Sequence, residues 1–281
     1  MASIAQLKDT AAQIRRDIVR MVYNCQSGHI GGALGCTEYF TALYFSVMKR
    51  KKKFNMSGDN EDMFFLSNGH ISAVFYSTLA HCGFFPVSEL NTFRKLNSRL
   101  QGHPTTHEGL PGIRVASGSL GQGISVAIGA AMAKKLNKDT NTVFVLCGDG
   151  ELEEGQCWEA LMFAPHHKVD NLILTVDWNG QQIDGTTDSV LSNRVLPAKF
   201  KAFNWDTLIL ENGNDMEAVI AMLRKAKRRT GKGKPVAILM RTEMGHGVDF
   251  MVNNYKWHGS PPNKDQFDKA MAQLPVTLGD F

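Results

Sequence analysis

Gly148-Asp149-Gly150-Glu151-Leu152-Glu153-Glu154-Gly155 is the stretch that decides how this 281-residue chain folds, together with its echo at Asp177-Trp178-Asn179-Gly180-Gln181. Thr142-Val143-Phe144-Val145-Leu146-Cys147 leads into the first, and Asn171-Leu172-Ile173-Leu174-Thr175-Val176 into the second. Both are continuous β-branched and apolar runs, the pattern of strands buried on both faces of a parallel sheet. Residues 154 to 164 leave room for one crossover helix between them, so the two strands form one parallel unit. An Asp thus leaves the end of one strand and an Asn the end of the next. In an open α/β sheet both ends face the crevice where ligands bind. Asp149 offers a charged oxygen, Asn179 a neutral one, and the turns offer main-chain carbonyls. Such a donor set suits a hard cation such as magnesium, which commonly completes its octahedron with water and phosphate. Gly148 and Gly150 lack a β-carbon, which lets the backbone approach a bulky phosphate. Gly-Asp-Gly alone is a common turn; two matched strand ends one crossover apart are what point to a magnesium–diphosphate site.

The spacing Asp149-Gly150 followed by Asn179 resembles the signature of thiamine-diphosphate enzymes. The longer text at 148–155, 160–164 and 179–185 resembles the diphosphate-binding domain of transketolases. The likeness covers most of residues 5 to 260 in several separate motifs.

Composition sets the bounds. With 43% apolar and 21% charged residues the chain is an ordinary globular one, large enough for one α/β domain or two small ones. A net charge of +4 and a pI near 8.7 fit anionic, phosphorylated substrates but not nucleic acid. The basic runs 49–53 and 225–234 carry no interleaved aromatic residues and read as solvated helix ends or loops. Cys25, Cys36, Cys82, Cys147 and Cys157 form no CxxC pair, are odd in number and sit mostly in apolar company, as reduced thiols of a cytoplasmic protein do. The first residues do not read as a signal peptide, and no apolar run approaches the length of a membrane span.

Leu7, Ala11, Ile14, Ile18, Met21 and Val22 recur at helical spacing and predict an amphipathic helix over residues 4 to 24, with Lys8, Arg15, Arg16 and Asp17 among its polar positions. A loop with four glycines follows, Ser27-Gly28-His29-Ile30-Gly31-Gly32-Ala33-Leu34-Gly35, presenting His29. Residues 37 to 48 read as an apolar helix, and Met63-Phe64-Phe65-Leu66 as a short strand that exits into Ser67-Asn68-Gly69-His70. Gln101-Gly102-His103-Pro104 is a third histidine loop, which Pro104 keeps out of a helix; His107 reads as an exposed loop residue. Ser117-Gly118-Ser119-Leu120-Gly121-Gln122-Gly123 opens an Ala-rich helix over 124 to 136, and a glycine-rich turn at a helix N-terminus can cradle an anion. After Ile183-Asp184-Gly185 comes a polar stretch, 186 to 192. Residues 207–210 and 235–240 read as strands, Asn214 as the cap of the helix between them, 241–248 as a glycine-rich strand exit, and 249–281 as a polar tail. The fold class is α/β: one doubly wound, mainly parallel domain over 1–281 with helices on both faces.

The resemblance adds roles to these residues. It implies thiamine diphosphate held through magnesium or calcium, with Asp149, Asn179 and the Gln181 main-chain carbonyl as metal ligands. His70, Gly118, Ser119, Leu120, Gly148, Asp149, Gly150, Glu154, Asn179 and Ile183 become cofactor contacts. His29, His70, His103 and His258 become substrate-side histidines that hydrogen-bond sugar hydroxyls and assist proton transfers. At the family's histidine position shortly before His258-Gly259 this chain has Tyr255. Glu154 matches an acidic residue at the family's subunit contact, and also suits a helix N-terminus by its charge. The implied reaction moves a two-carbon ketol unit from a ketose phosphate, such as xylulose 5-phosphate, to an aldose phosphate, such as ribose 5-phosphate. A full transketolase has further pyrimidine-binding and C-terminal domains. The expectation is therefore an N-terminal subunit of a split enzyme, with a partner supplying the pyrimidine domain and its activating glutamate in an α2β2 assembly. Three alternatives stay open: a deoxyxylulose-phosphate synthase or two-subunit 2-oxoacid dehydrogenase, ketol transfer on a less usual sugar phosphate, and a non-catalytic regulatory relative. The Ser-Asn-Gly-His and Gly-His-Pro loops favour transketolase.

Overall fold

The computed structural model describes residues 2–51 and 53–281; Lys52, inside the first basic run, lies outside the described residues, and the rest of that run is irregular backbone. The strands are β1 (Met63–Leu66), β2 (Val143–Gly148), β3 (Leu172–Trp178), β4 (Gln181–Gln182), β5 (Gly185–Thr186), β6 (Asp206–Leu210) and β7 (Val236–Arg241). The helices are α1 (Ile4–Cys25), α2 (Ile30–Gly35), α3 (Thr37–Ala42), α4 (Ser72–His81), α5 (Gln122–Leu136), α6 (Gly155–His166), α7 (Thr187–Val190), α8 (Leu196–Ala202), α9 (Met216–Lys227) and α10 (Lys264–Gln273). Five strands form one parallel sheet in the order β1-β2-β3-β7-β6, and β4 and β5 form a separate antiparallel hairpin.

The apolar runs are buried on both faces because alternate residues feed two cores. Phe64, Phe144, Ile173, Ile238 and Leu208 pack with α1, α3, α4 and α9 on one side. Phe65, Val145, Leu174, Ala237 and Leu239 pack with α5, α6 and α8 on the other. The chain steps through β1, β2 and β3 in one direction, then returns from edge strand β6 to β7. Right-handed crossovers that run in opposite directions fall on opposite faces, which is why α6 and α9 do so. The two directions meet between β3 and β7, which makes the carboxyl edge of the sheet the side where a ligand crevice is expected.

Four readings of the sequence need correction. The glycine-rich stretch after His29 is a helix, α2, not an open loop. Its glycines are there for contact: a β-carbon on Gly31 would lie 2.9 Å from the Trp257 carbonyl oxygen, and one on Gly35 2.9 Å from that of Glu243. Asp215, not Asn214, caps α9; Asn214 instead donates to the Gly35 carbonyl and accepts from the Glu243 N–H. The polar positions Arg15, Arg16 and Asp17 of α1 are enclosed rather than solvated. Arg15 pairs with Glu38, Arg16 with Asp280 at 2.7 Å, and Asp17 accepts from Ser77 at 2.7 Å and faces His81 at 2.8 Å. The Arg16–Asp280 pair also corrects the tail: residues 249–281 contain α10 and pack on α1, with Met251, Ala270 and Leu274 buried.

Candidate functional site

A cavity of about 330 Å³ opens at the carboxyl ends of β1, β2 and β3, and it divides into two walls. One is acidic and grows from the strand ends. The register sets Gly148 beside Asp177, so Asp149 turns out of β2 next to the last residues of β3. Asp149 is 2% exposed; its Oδ1 accepts from the Gly150 N–H at 2.9 Å and its Oδ2 from the Gly180 N–H at 2.7 Å. Asn193 donates to the Asp149 carbonyl at 2.8 Å. Asn179 Oδ1 accepts from the Gln181 N–H at 2.8 Å, while its Nδ2 donates to Asp177 at 2.7 Å. Asp177 in turn accepts from the Thr242 hydroxyl at the end of β7. Burial, and then the charge of Asp177, push the Asp149 carboxyl well above the usual carboxylate range; burial also raises Asp177 against the Thr242, Cys36 and Asn179 hydrogen bonds.

Glu151 lies behind this wall, 2% exposed. Its carboxylate accepts from Ser67 Oγ at 2.5 Å, the Gly121 N–H at 2.8 Å and the Gly148 N–H at 3.0 Å, joining the exits of β1 and β2 to the start of α5. Burial raises its pKa in spite of these donors.

The second wall is a cluster of histidines from four separate turns. His29 and His70 have ring centroids 4.9 Å apart, His29 and His258 5.5 Å, His70 and His258 5.2 Å, and His29 and His103 6.3 Å. Glycines allow these turns to cross. A β-carbon on Gly69 would lie 2.6 Å from the Ser117 main chain, and one on Gly118, at φ +128°, 2.6 Å from the His103 ring. Burial and neighbouring positive charge bring His29 down to about 4, and burial lowers His70, His103 and His258 as well. The wall is therefore neutral at neutral pH, able to accept and donate hydrogen bonds without carrying charge.

The structure brings His29, His70, His103, His258, Gly118, Leu120, Gly148, Asp149, Gly150, Glu154, Asn179, Gln181 and Ile183 to one cavity. Ser119 is exposed and stands apart from the lining. Gly150 serves packing more than ligand access, since its β-carbon would sit 3.1 Å from Gln182 Cβ; Gly148 meets nothing closer than 3.8 Å. Glu154 is the exposed N-cap residue of α6, without a capping hydrogen bond from its side chain. Ile183 sits at the tip of the β4–β5 hairpin, 57% exposed. His107 is exposed, as expected. Asn68, Glu151, Glu153, Asp177 and Gln182 also line the cavity and were not singled out from the sequence. Their signal was present for Asn68, inside Ser-Asn-Gly-His, and for Asp177, a carboxylate closing an apolar strand.

Among the described residues, no three His, Cys, Asp or Glu side chains are arranged to hold a metal ion. A cation here has to draw on amide and carbonyl oxygens beside Asp149, the donor set of Asn179 and Gln181. Asn68 Oδ1 and His29 Nδ1 are buried without a hydrogen-bond partner. Both residues line the cavity, and orphaned groups of this kind are what a polar ligand satisfies. The residues present therefore fit a metal–diphosphate group on one wall and a polyhydroxylated substrate on the other.

Comparison with known proteins follows the same line. The chain is 39% identical over 260 residues to an apulose-4-phosphate transketolase subunit of Phocaeicola vulgatus, covering 92% of this chain and 90% of that protein. It is 34% identical over 268 residues to the 6-deoxy-6-sulfo-D-fructose transketolase subunit SqwG of Clostridium sp. strain MSTE9, covering 95% and 96%. The crystal structure of transketolase from Campylobacter jejuni superposes with a TM-score of 0.88 at 33% identity; the match takes in 97% of this chain and 43% of that one. The family model "Transketolase, thiamine diphosphate binding domain" matches residues 7–277. A parallel sheet whose strand ends carry Asp149 and Asn179 in one cavity with four histidines is thus the thiamine diphosphate-binding domain of a transketolase, and the chain belongs to the transketolase family.

Proposed function

We propose that this chain is the thiamine-diphosphate-binding subunit of a split transketolase, working with a second chain that carries the pyrimidine domain and its activating glutamate, in an α2β2 assembly. The observation that carries the reading is that Asp149 and Asn179 line one cavity together with four histidines. The names of the relatives support the division of labour: proteins named as transketolase subunits match this chain over 90% to 97% of their own length. Residues 1–281 then form a single diphosphate-binding domain. Five free thiols, three of them buried, fit the reducing conditions of the cytoplasm; among the described residues no helix is long and apolar enough to cross a membrane.

In this reading Asp149, Asn179 and the Gln181 carbonyl hold Mg2+ (or Ca2+), and Gly148, Gly118, Leu120 and Ile183 contact the cofactor. The chemistry available from bound thiamine diphosphate is cleavage of a carbon–carbon bond beside a carbonyl, with the electron pair held on the cofactor. This chain's own residues bind and orient. His29, His70, His103 and His258 receive the sugar hydroxyls, and a neutral imidazole at each can take up a proton from a hydroxyl or return one. Glu154, exposed and lining the cavity, would meet the partner. The donor is a ketose phosphate and the acceptor an aldose phosphate. Xylulose 5-phosphate and ribose 5-phosphate are the first pair to try, followed by apulose 4-phosphate and 6-deoxy-6-sulfo-fructose because of the relatives' names.

The experiment is calorimetric titration of thiamine diphosphate with magnesium into this chain alone, then into a mixture with the candidate partner, with turnover assayed in the same samples. Binding and turnover that need the partner support the reading. Full turnover by this chain alone overturns the division into subunits, and no binding in either sample overturns the catalytic reading. Retained partner-dependent activity in Asp149→Ala would overturn the metal site.

A further inference from the structure

We propose that Arg94 is a positioning residue that ties the turn carrying His29 to the turn carrying His103 and so sets the geometry of the histidine wall. Its catalytic meaning rests on the reading of that wall as substrate-facing; the tie itself does not.

Arg94 has φ +58°, the left-handed region that residues with long side chains seldom adopt. Such backbone persists only where the surroundings over-determine it, and it gathers at functional sites. Here the surroundings are specific. The Arg94 N–H donates to the Leu100 carbonyl at 2.9 Å, which closes the turn. The guanidinium then reaches in two directions: Nη1 donates to Ser27 Oγ at 2.9 Å, and Nη2 to the Gly102 carbonyl at 3.3 Å. Ser27 lies two residues before His29, and Gly102 one residue before His103.

Glycine at 102 is part of the device. A β-carbon there would lie 2.8 Å from Arg94 Cζ, so only glycine lets the guanidinium lie flat on the backbone. The adjacent Phe93 completes the clamp. Its ring is 5.5 Å from Arg94 Cζ, and its edge lies 3.6 Å from where a β-carbon of Gly28 would be. Gly28, at φ +138°, precedes His29 directly. One dipeptide, Phe93-Arg94, thus lies beside the residue before each of two histidines. Nothing else in the mechanism uses it.

The charge of Arg94 has a separate effect. It faces His29 together with His258 and His103, and it faces His103; in both cases it adds to burial in holding the imidazole neutral. The main charges acting on His258 and His70 are instead Asp184 and the other three histidines respectively. The guanidinium is therefore both a mechanical tie and a local positive charge, and the two can be separated.

The test uses this whole chain. Arg94→Gly removes the side chain and suits the positive φ, so the backbone has no reason to unfold. Arg94→Lys keeps the charge and loses the two-pronged fork. Histidine ring titrations and amide exchange are followed by NMR. In Arg94→Gly, amide exchange in residues 27–29 and 101–103 should speed up by about tenfold or more, and the midpoints of His29 and His103 should rise while that of His258 stays. In Arg94→Lys exchange should speed up with the midpoints still low. Wild-type exchange and wild-type midpoints in Arg94→Gly would overturn the proposal. With the partner present, kcat/KM for ketol transfer from xylulose 5-phosphate should fall by about 10- to 100-fold in both variants. Loosened turns with unchanged turnover would support the tie and overturn its catalytic role.

Discussion

The acidic wall and the histidine wall share one cavity, and in both burial shifts the titratable groups away from their charged forms. They are held in different ways. Three carboxylates of the acidic wall are wired: Asp149 takes two main-chain N–H donors, Asp177 a hydroxyl and an amide, Glu151 a hydroxyl and two N–H groups, whereas Glu153 Oε1 is buried without a partner. The four histidine rings meet one another instead, and His29 Nδ1 is buried with no partner at all. A wall whose hydrogen bonds are internal is preassembled. A wall whose polar atoms are unpaired is completed by what binds. In the proposed function the hydrogen-bonded carboxylates would belong to the seat of the metal–diphosphate group and the histidines to the surface that meets the sugar.

The largest effect should come from breaking the seat. Asp149→Ala should weaken calorimetric binding of magnesium–thiamine diphosphate by more than about 100-fold, beyond the 10- to 100-fold typical of residues behind a metal. His103→Ala should leave that binding within a few-fold and reduce turnover instead. Equal loss in both would erase the distinction between the walls. Glu151→Gln sharpens it from behind. A Gln there must turn an NH2 group toward one of the donors it replaces, at Ser67, Gly121 or Gly148, so cofactor binding should weaken by about 10- to 100-fold with little change in the KM for sugar.

The walls should also pull stability in opposite directions with pH in the metal-free chain. Folding lowers the histidine pKa values, so between about 4, where His29 titrates, and the ordinary 6.5 the unfolded chain binds more protons. Stability from this wall is complete above 6.5 and is lost as pH falls. Folding raises Asp149, Asp177 and Glu151, so above their ordinary values of 3.8 and 4.5 the folded chain binds more protons. Stability from that wall is lost as pH rises. Each unmatched proton changes stability by about 1.4 kcal/mol per pH unit. Thermal melts from pH 4 to 8 should therefore lose part of their acid limb in His29→Asn and keep the alkaline one. Magnesium with thiamine diphosphate should raise Tm more at high pH than at low. An acid limb untouched by His29→Asn would show that the histidine wall is not buried as described.

Smaller effects separate glycines that serve contact from those that do not. Gly31→Ala would place a β-carbon 2.8 Å from Met244 Cγ and 2.9 Å from the Trp257 carbonyl oxygen. It should cost about 1–3 kcal/mol in denaturant unfolding and displace the turn that carries His29. Gly129, inside α5, has nothing within 4 Å of its would-be β-carbon. Gly129→Ala should stabilise the chain by about 0.5–1 kcal/mol. A reversed order would mean that α2 does not pack as seen.

Much of this was legible in the residues. β1 and the core of β2, β3, β6 and β7 follow from apolar runs, because a strand covered on both faces has no alternation to hide it. Asp149, Asn179 and the four histidines follow from strand exits and from family likeness. What was not legible depends on neighbours distant in sequence. α2 reads as a loop because four glycines argue against a helix, until Met244, Trp257 and Glu243 supply the contacts that require them. Arg15, Arg16 and Asp17 read only as polar helix positions, until Glu38, Asp280, and Ser77 with His81 pair with them in turn. Asp215 rather than Asn214 caps α9 because Asn214 is recruited by Gly35 and Glu243.

The sequence by itself determined the main strands, the α/β class and the oxygen donors at the ends of two strands one crossover apart, because local pattern suffices for those. Only the tertiary structure decided that Asp177 and Glu151 stand beside Asp149, that four histidines from four turns share one wall, and that Arg94 binds two of those turns together. Burial and long-range contact set the charge state and partners of such groups, and neither is written in the spacing of residues along the chain.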